Sequence, residues 1–146
     1  MLRPFLLVGV GGSGGKTLRA LRQSLLLKLQ QEGWKDGWPK AWQMLHVDSP
    51  TNQDGAEFPA DFLPSENYCG LVAPGTSYQI SYSAATNGLP TKHLIDIQRG
   101  LPSDKDVAVN VTIGAGKFRA IGRTLVLAKL ADVERQAQLS LSKMTS

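Results

Sequence analysis

Residues 9–17 read GVGGSGGKT, five glycines within seven positions followed by a lysine and a threonine. Glycines lack a Cβ, so the backbone can turn sharply and come close to a ligand. Where such a turn opens a helix, unpaired N–H groups and aligned peptide dipoles attract a phosphate. Ser13 adds a hydroxyl donor to that cluster. The chemistry these residues suit is phosphate binding.

Three registers of the motif compete. Gly9, Gly11 and Gly14 satisfy GxGxxG, the dinucleotide pattern. That site also needs an acid about 20 residues on, at the end of the second strand, and the best candidate there, Asp48, lies 34 residues past Gly14. The P-loop pattern GxxxxGK[ST] needs glycine at position 10, where this chain has Val10. One extra residue turns a helix start by about 100°, so Lys16 reads as a solvated first-turn lysine. The third register is a glycine turn acting through backbone N–H groups alone, completed by other loops. Gly114-Ala115-Gly116, also ahead of a helix, is a second such turn, and Arg123 follows it.

Other reactive side chains carry weaker signals. His46 stands alone inside a strand pattern and reads as a packed, hydrogen-bonded residue. Cys69 is the sole cysteine, so neither a disulfide framework nor a cysteine metal site is available. Asp132 and Glu134 read as surface charges on a late helix. Trp34, Trp38 and Trp42 are spaced by four, but Gly37 and Pro39 interrupt a helix there. Their rings are expected to cap the core from a loop or broken helix.

The elements follow from periodicity. Pro4 to Val10 is nearly continuous in apolar residues, as in a strand of a covered parallel sheet. Lys16 to Gln31 reads as a helix with Leu18, Leu21, Leu25, Leu26 and Leu29 inward and Arg19, Arg22 and Lys28 outward. Gly33 is its expected stop. Gln43 to Asp48 is a second strand. Residues 49–76 form a long Pro-, Gly- and acid-rich excursion. Residues 77–101 suggest two short helices, Asn110 to Ile113 is too short to assign as a strand, and a long helix is expected over about 118–140. The fold class is α/β, a Rossmann-like and mostly parallel sheet with flanking helices. The 146 residues suit one domain.

The chain carries 42% apolar and 19% charged residues and a formal net charge of +4. Its basic residues are scattered rather than clustered, so nucleic acid is not an expected partner. The apolar start falls far short of the roughly 20 residues of a membrane span. No membrane partner and a cytoplasmic location are expected.

Taken in order, GVGGSGGKTLRAL (9–21), LHVDSPTN (45–52) and GAGKFRAIGR (114–123) resemble three loops of the nucleotide-binding domain of the tubulin/FtsZ superfamily. The resemblance is nearest to bacterial tubulin-like proteins. It implies a guanine nucleotide, GTP or GDP, with magnesium held through the nucleotide. It places Gly11, Gly12, Ser13 and Gly14 on the α/β-phosphates and Asp48 near the nucleotide or its hydrated cation. Gly114, Ala115 and Gly116 fall toward the γ-phosphate and Arg123 toward the sugar or phosphate edge. Ala120 departs from the family's acid at that position, and residues 117–121 lack its Asn-Pro-Glu type sequence. The family's GGGTG[ST]G loop belongs one helix and one strand further on. Residues 1–146 are therefore expected to form a tubulin-like half-domain, either truncated or a shortened relative.

In this family, hydrolysis needs an acidic loop from a neighbouring subunit, so nucleotide binding is expected here and hydrolysis by this chain alone is not. Self-association or a protein partner is expected at the strand edge a half-domain leaves unpaired. Two alternatives stand beside this reading: a NAD(P)- or FAD-binding Rossmann domain, and an interaction domain that has lost nucleotide binding.

Overall fold

The computed structural model describes residues 2–87, 100–102, 107, 109–115 and 118–145. The chain divides into two compact units. The first comprises Met1–Asp48, Gln53–Cys69 and Glu134–Ser146, and the second Ser49–Asn52 and Gly70–Val133.

In the first unit, strand β1 spans Phe5–Val10. It pairs in parallel with β2, Trp42–Asp48, bringing Leu7 opposite Met44 and Gly9 opposite His46. A short third strand, β3, Tyr68–Gly70, extends the sheet in the order β1-β2-β3. β3 lies within the expected excursion over 49–76, where three residues are too few to show a period. Helix α1, Gly11–Gln31, connects β1 to β2 and packs on both. It starts five residues before the expected Lys16. The turn is a single residue, Gly11, at φ 71°. Gly12 to Gly15 are already helical, and close packing of Gly14 on β1 and of Gly15 on β2 offsets the roughly 1 kcal/mol that each glycine costs a helix.

The buried face of α1 runs through Gly15, Leu18, Arg19 and Leu29. Two expectations for this helix are corrected. Leu21 falls off the stripe and is exposed, whereas Arg19, expected in solvent, is 3% exposed. Position 19 shares a face with 15 and 22 at helical spacing, and backbone carbonyls there satisfy its guanidinium. The helix ends as expected. Gly33, at φ 81°, donates to the Gln30 carbonyl at 3.0 Å, and Trp34 donates to that of Leu29 at 2.9 Å. This is the paired C-terminal motif glycine permits.

Leu18, Met44 and Leu63 form the core of this unit, with Leu7, Leu25 and Trp38 packed around them. Of the three tryptophans, Trp38 packs directly on this core, and Trp34 bonds to the Gly37 carbonyl within its own loop at 2.8 Å. Trp42 stacks on Phe5 at 5.1 Å and meets Trp38 edge-on at 5.6 Å. Arg22 lies over the Trp38 ring at 5.2 Å.

The second unit contains α2, Tyr78–Asn87, and α3, Arg119–Ala128, packed against each other. The second short helix expected before residue 101 falls largely outside the described residues. Val111–Ile113 is a 3-10 turn, with the Asn110 side chain accepting from the Thr112 N–H at 3.1 Å. The long helix expected over 118–140 is two helices, α3 and α4, the latter spanning Leu130–Thr145. Lys129 separates them without a glycine or proline. Its N–H closes the last turn of α3 onto Val126 at 3.1 Å, and its carbonyl accepts from Asp132 and Val133 to open α4. Among the described residues, no helix is long and apolar enough to cross a membrane.

Candidate functional site

The N-terminus of α1 is the focus of the first unit. Its first N–H groups have no intrahelical acceptor. Val10, the residue before the helix, provides no side-chain cap, and the first turn holds no acid. The helix dipole there is positive.

The glycines around it serve different ends. A Cβ on Gly9 would lie 2.6 Å from the Gly14 carbonyl oxygen, and one on Gly14 would lie 2.8 Å from the Gly9 carbonyl carbon. These two let strand and helix backbones touch. A Cβ on Gly15 would lie 2.2 Å from the His46 ring. Gly11 faces open space, and a Cβ on Gly12 would approach only Asp54 Oδ1 at 3.9 Å and Asp48 Oδ2 at 4.0 Å. Ser13 is exposed. Gly11, Gly12 and Ser13 are thus the open part of the motif.

His46, reaching from the middle of β2, is buried at 3% exposure. Its Nε2 lies 3.0 Å from the Gly11 carbonyl oxygen and 3.6 Å from Asp48 Oδ2. A carbonyl only accepts, so this contact places a proton on Nε2. Nδ1 is buried and has no hydrogen-bond partner among the described residues. Tyr68 meets the imidazole edge-on at 5.1 Å.

Asp48 ends β2 with its side chain 10% exposed. Asp54, which sequence reasoning passed over, is the second carboxylate facing Gly12. Tyr68 stands near both. Burial raises its phenol pKa above the ordinary 10.0, and the charges of Asp48 and Asp54 push the same way. Among the described residues, no three His, Cys, Asp or Glu side chains gather as a metal cage. One or two carboxylates suit a magnesium ion whose remaining ligands are water and phosphate oxygens.

Lys16 is engaged with the loop that follows β2. Its Nζ meets Glu57 Oε1 at 3.3 Å. A backbone hydrogen bond at Glu57, then Lys16, holds the Glu57 carboxyl below its ordinary pKa. The Thr17 hydroxyl donates to the Ser13 carbonyl at 2.9 Å. Both side chains are thus engaged by groups of the protein itself.

Arg19 organises the loop that carries Asp54. Its guanidinium donates to the carbonyls of Asp54, Gly55, Phe58, Ala60 and Asp61. It lies 5.2 Å from the Phe58 ring centre and 4.4 Å from that of Phe62. A run of turn residues and acids gave no sign of this cage.

Of the predicted site residues, Gly11, Gly12, Ser13, Gly14 and Asp48 lie together in the first unit. Gly114, Ala115 and Arg123 belong to the second unit. Gly114 has φ 136°, and Arg123 is exposed on α3. Gly116 lies outside the described residues.

A family model described as tubulin like matches residues 6–146. No curated protein and no solved structure gives a significant match to the chain.

Proposed function

The chain belongs to the tubulin-like family, and from that premise we propose that it binds a guanine nucleotide at the N-terminus of α1. Gly11, Gly12, Ser13 and Gly14 offer backbone N–H groups to the phosphates. Asp48, joined by Asp54, faces the magnesium ion that travels with the nucleotide. The observation that carries this reading is the open approach to Gly12 beside two carboxylates, at a helix start whose cap residue makes no side-chain hydrogen bond. The spacing of Asp48, 34 residues past Gly14, also favours it over a dinucleotide site, whose ribose-binding acid follows the glycines by about 20 residues. Gly114, Ala115, Gly116 and Arg123 enter the proposal through family resemblance, and Arg123→Ala tests them separately.

Calorimetric titration with GTP, GDP, ATP, NAD and FAD in magnesium buffer tests the whole. Saturation by the guanine nucleotides alone is expected. Preferential binding of NAD or FAD, or no binding at all, overturns the proposal.

Self-association is proposed on separate grounds. β1 is at the edge of the described sheet, with Val8 53% and Val10 69% exposed. Such edges pair with other chains. Sedimentation of the wild type against a Val10→Lys variant reads it. Monomers at all concentrations would exclude it.

A further inference from the structure

His46 has a feature that a packing residue does not need. It is a buried imidazole whose Nδ1 finds no hydrogen-bond partner among the described residues. An apolar side chain of similar size would leave no such orphan. The ring is nonetheless fitted with care. Gly15 lacks the Cβ that would overlap it, and Tyr68 stands edge-on against it. Its Nε2 lies 3.0 Å from the carbonyl of Gly11, the left-handed residue that opens α1, and 3.6 Å from Asp48 Oδ2.

We propose that His46 is a positioning residue for phosphate binding, which fixes the Gly11 peptide through its Nε2–H and so aims the first N–H groups of α1. The Gly11 carbonyl and the Gly12 N–H share one rigid peptide plane. Holding the oxygen on one side sets the direction of the hydrogen on the other. Gly11 has no side chain of its own to restrict this plane, since glycine populates positive and negative φ about equally. The imidazole supplies the restriction from β2. This inference rests on the proposed nucleotide site and adds a residue that touches no phosphate itself.

Glutamine and methionine have similar lengths and differ at the donor, so His46→Gln and His46→Met form the test. The expected result is a Met variant that folds, by circular dichroism, and binds magnesium-GTP at least tenfold more weakly. The Gln variant should stay within about threefold of the wild type. Equal affinity of wild type and Met variant, or equal weakness of Gln and Met variants, overturns the inference. Amide resonances of Gly12, Ser13 and Gly14, recorded without nucleotide, should move in the Met variant and hold in the Gln variant. This separates the two readings, because a wild type that binds no guanine nucleotide sinks the site and leaves the peptide-aiming claim to the amide shifts. Should the Met variant not fold, nitrogen-15 spectra of the wild-type imidazole decide: a proton on Nδ1 instead of Nε2 refutes it.

Discussion

At the scale of single residues, the glycines between 9 and 15 divide by what a Cβ would strike. Gly15→Ala drives a methyl into the His46 ring, and overpacking of that kind costs about 1–3 kcal/mol. Gly12→Ala meets nothing closer than 3.9 Å and gains up to about 1 kcal/mol of helix propensity. Urea unfolding should therefore lower the midpoint for Gly15→Ala and hold or raise it for Gly12→Ala; equal losses would contradict the packing described. Ser13→Asp separates stability from binding. A carboxylate in the first turn favours the helix by about 0.3–1 kcal/mol, yet it repels a phosphate at the same N–H groups. A folded, slightly stabilised variant with at least tenfold weaker GTP binding is expected, and undiminished binding would remove the phosphates from α1. Glycine spacing alone fitted three motifs, because it cannot separate a glycine that admits another backbone from one that admits a ligand. Tyr68 adds a pH signature. Its phenol is held neutral in the folded state, by burial first and then by Asp48 and Asp54. Above about pH 10 the unfolded chain loses that proton while the folded chain keeps it, so stability falls as pH rises. Tyr68→Phe should flatten this alkaline slope, and an unchanged slope would assign it elsewhere.

At the scale of elements, β1, the body of α1 and β2 were legible because their apolar periods are long enough to show. β3 and the break at Lys129 were not. A three-residue strand has no period, and Lys129 ends a helix through local hydrogen bonding without a breaker residue. The loop over 53–63 was legible only as a loop. What orders it is Arg19, whose planar fork reaches five carbonyls between two aromatic rings. A lysine offers three donors from one point and cannot span that set. Arg19→Lys should lose about 2–4 kcal/mol and open 53–63 to limited proteolysis before the remainder of the chain. Cleavage no faster than in the wild type would show that the loop holds without its arginine. Asp54 rides on this loop, so the same variant should weaken the magnesium dependence of nucleotide binding.

At the scale of the whole molecule, the chain's two units give it separate reporters. All three tryptophans, Trp34, Trp38 and Trp42, lie in the first unit, while Tyr78 and Tyr82 lie in the second. Tryptophan fluorescence therefore follows the unit that contains α1 and Asp48. A ligand that binds only the folded state stabilises it by about 2.7 kcal/mol at a hundredfold excess over Kd. In a chain of this size, that is a rise in Tm of about 5–10 °C. Magnesium-GTP at saturation should shift the tryptophan-monitored transition by that amount, and NAD at equal concentration should not. The Ser13→Asp variant should melt normally and lose the shift, which ties the effect to the helix start rather than to magnesium or ionic strength. A transition that GTP leaves in place would refute nucleotide binding by this unit. An equal shift with NAD would return the glycine motif to its dinucleotide register despite the family the chain belongs to.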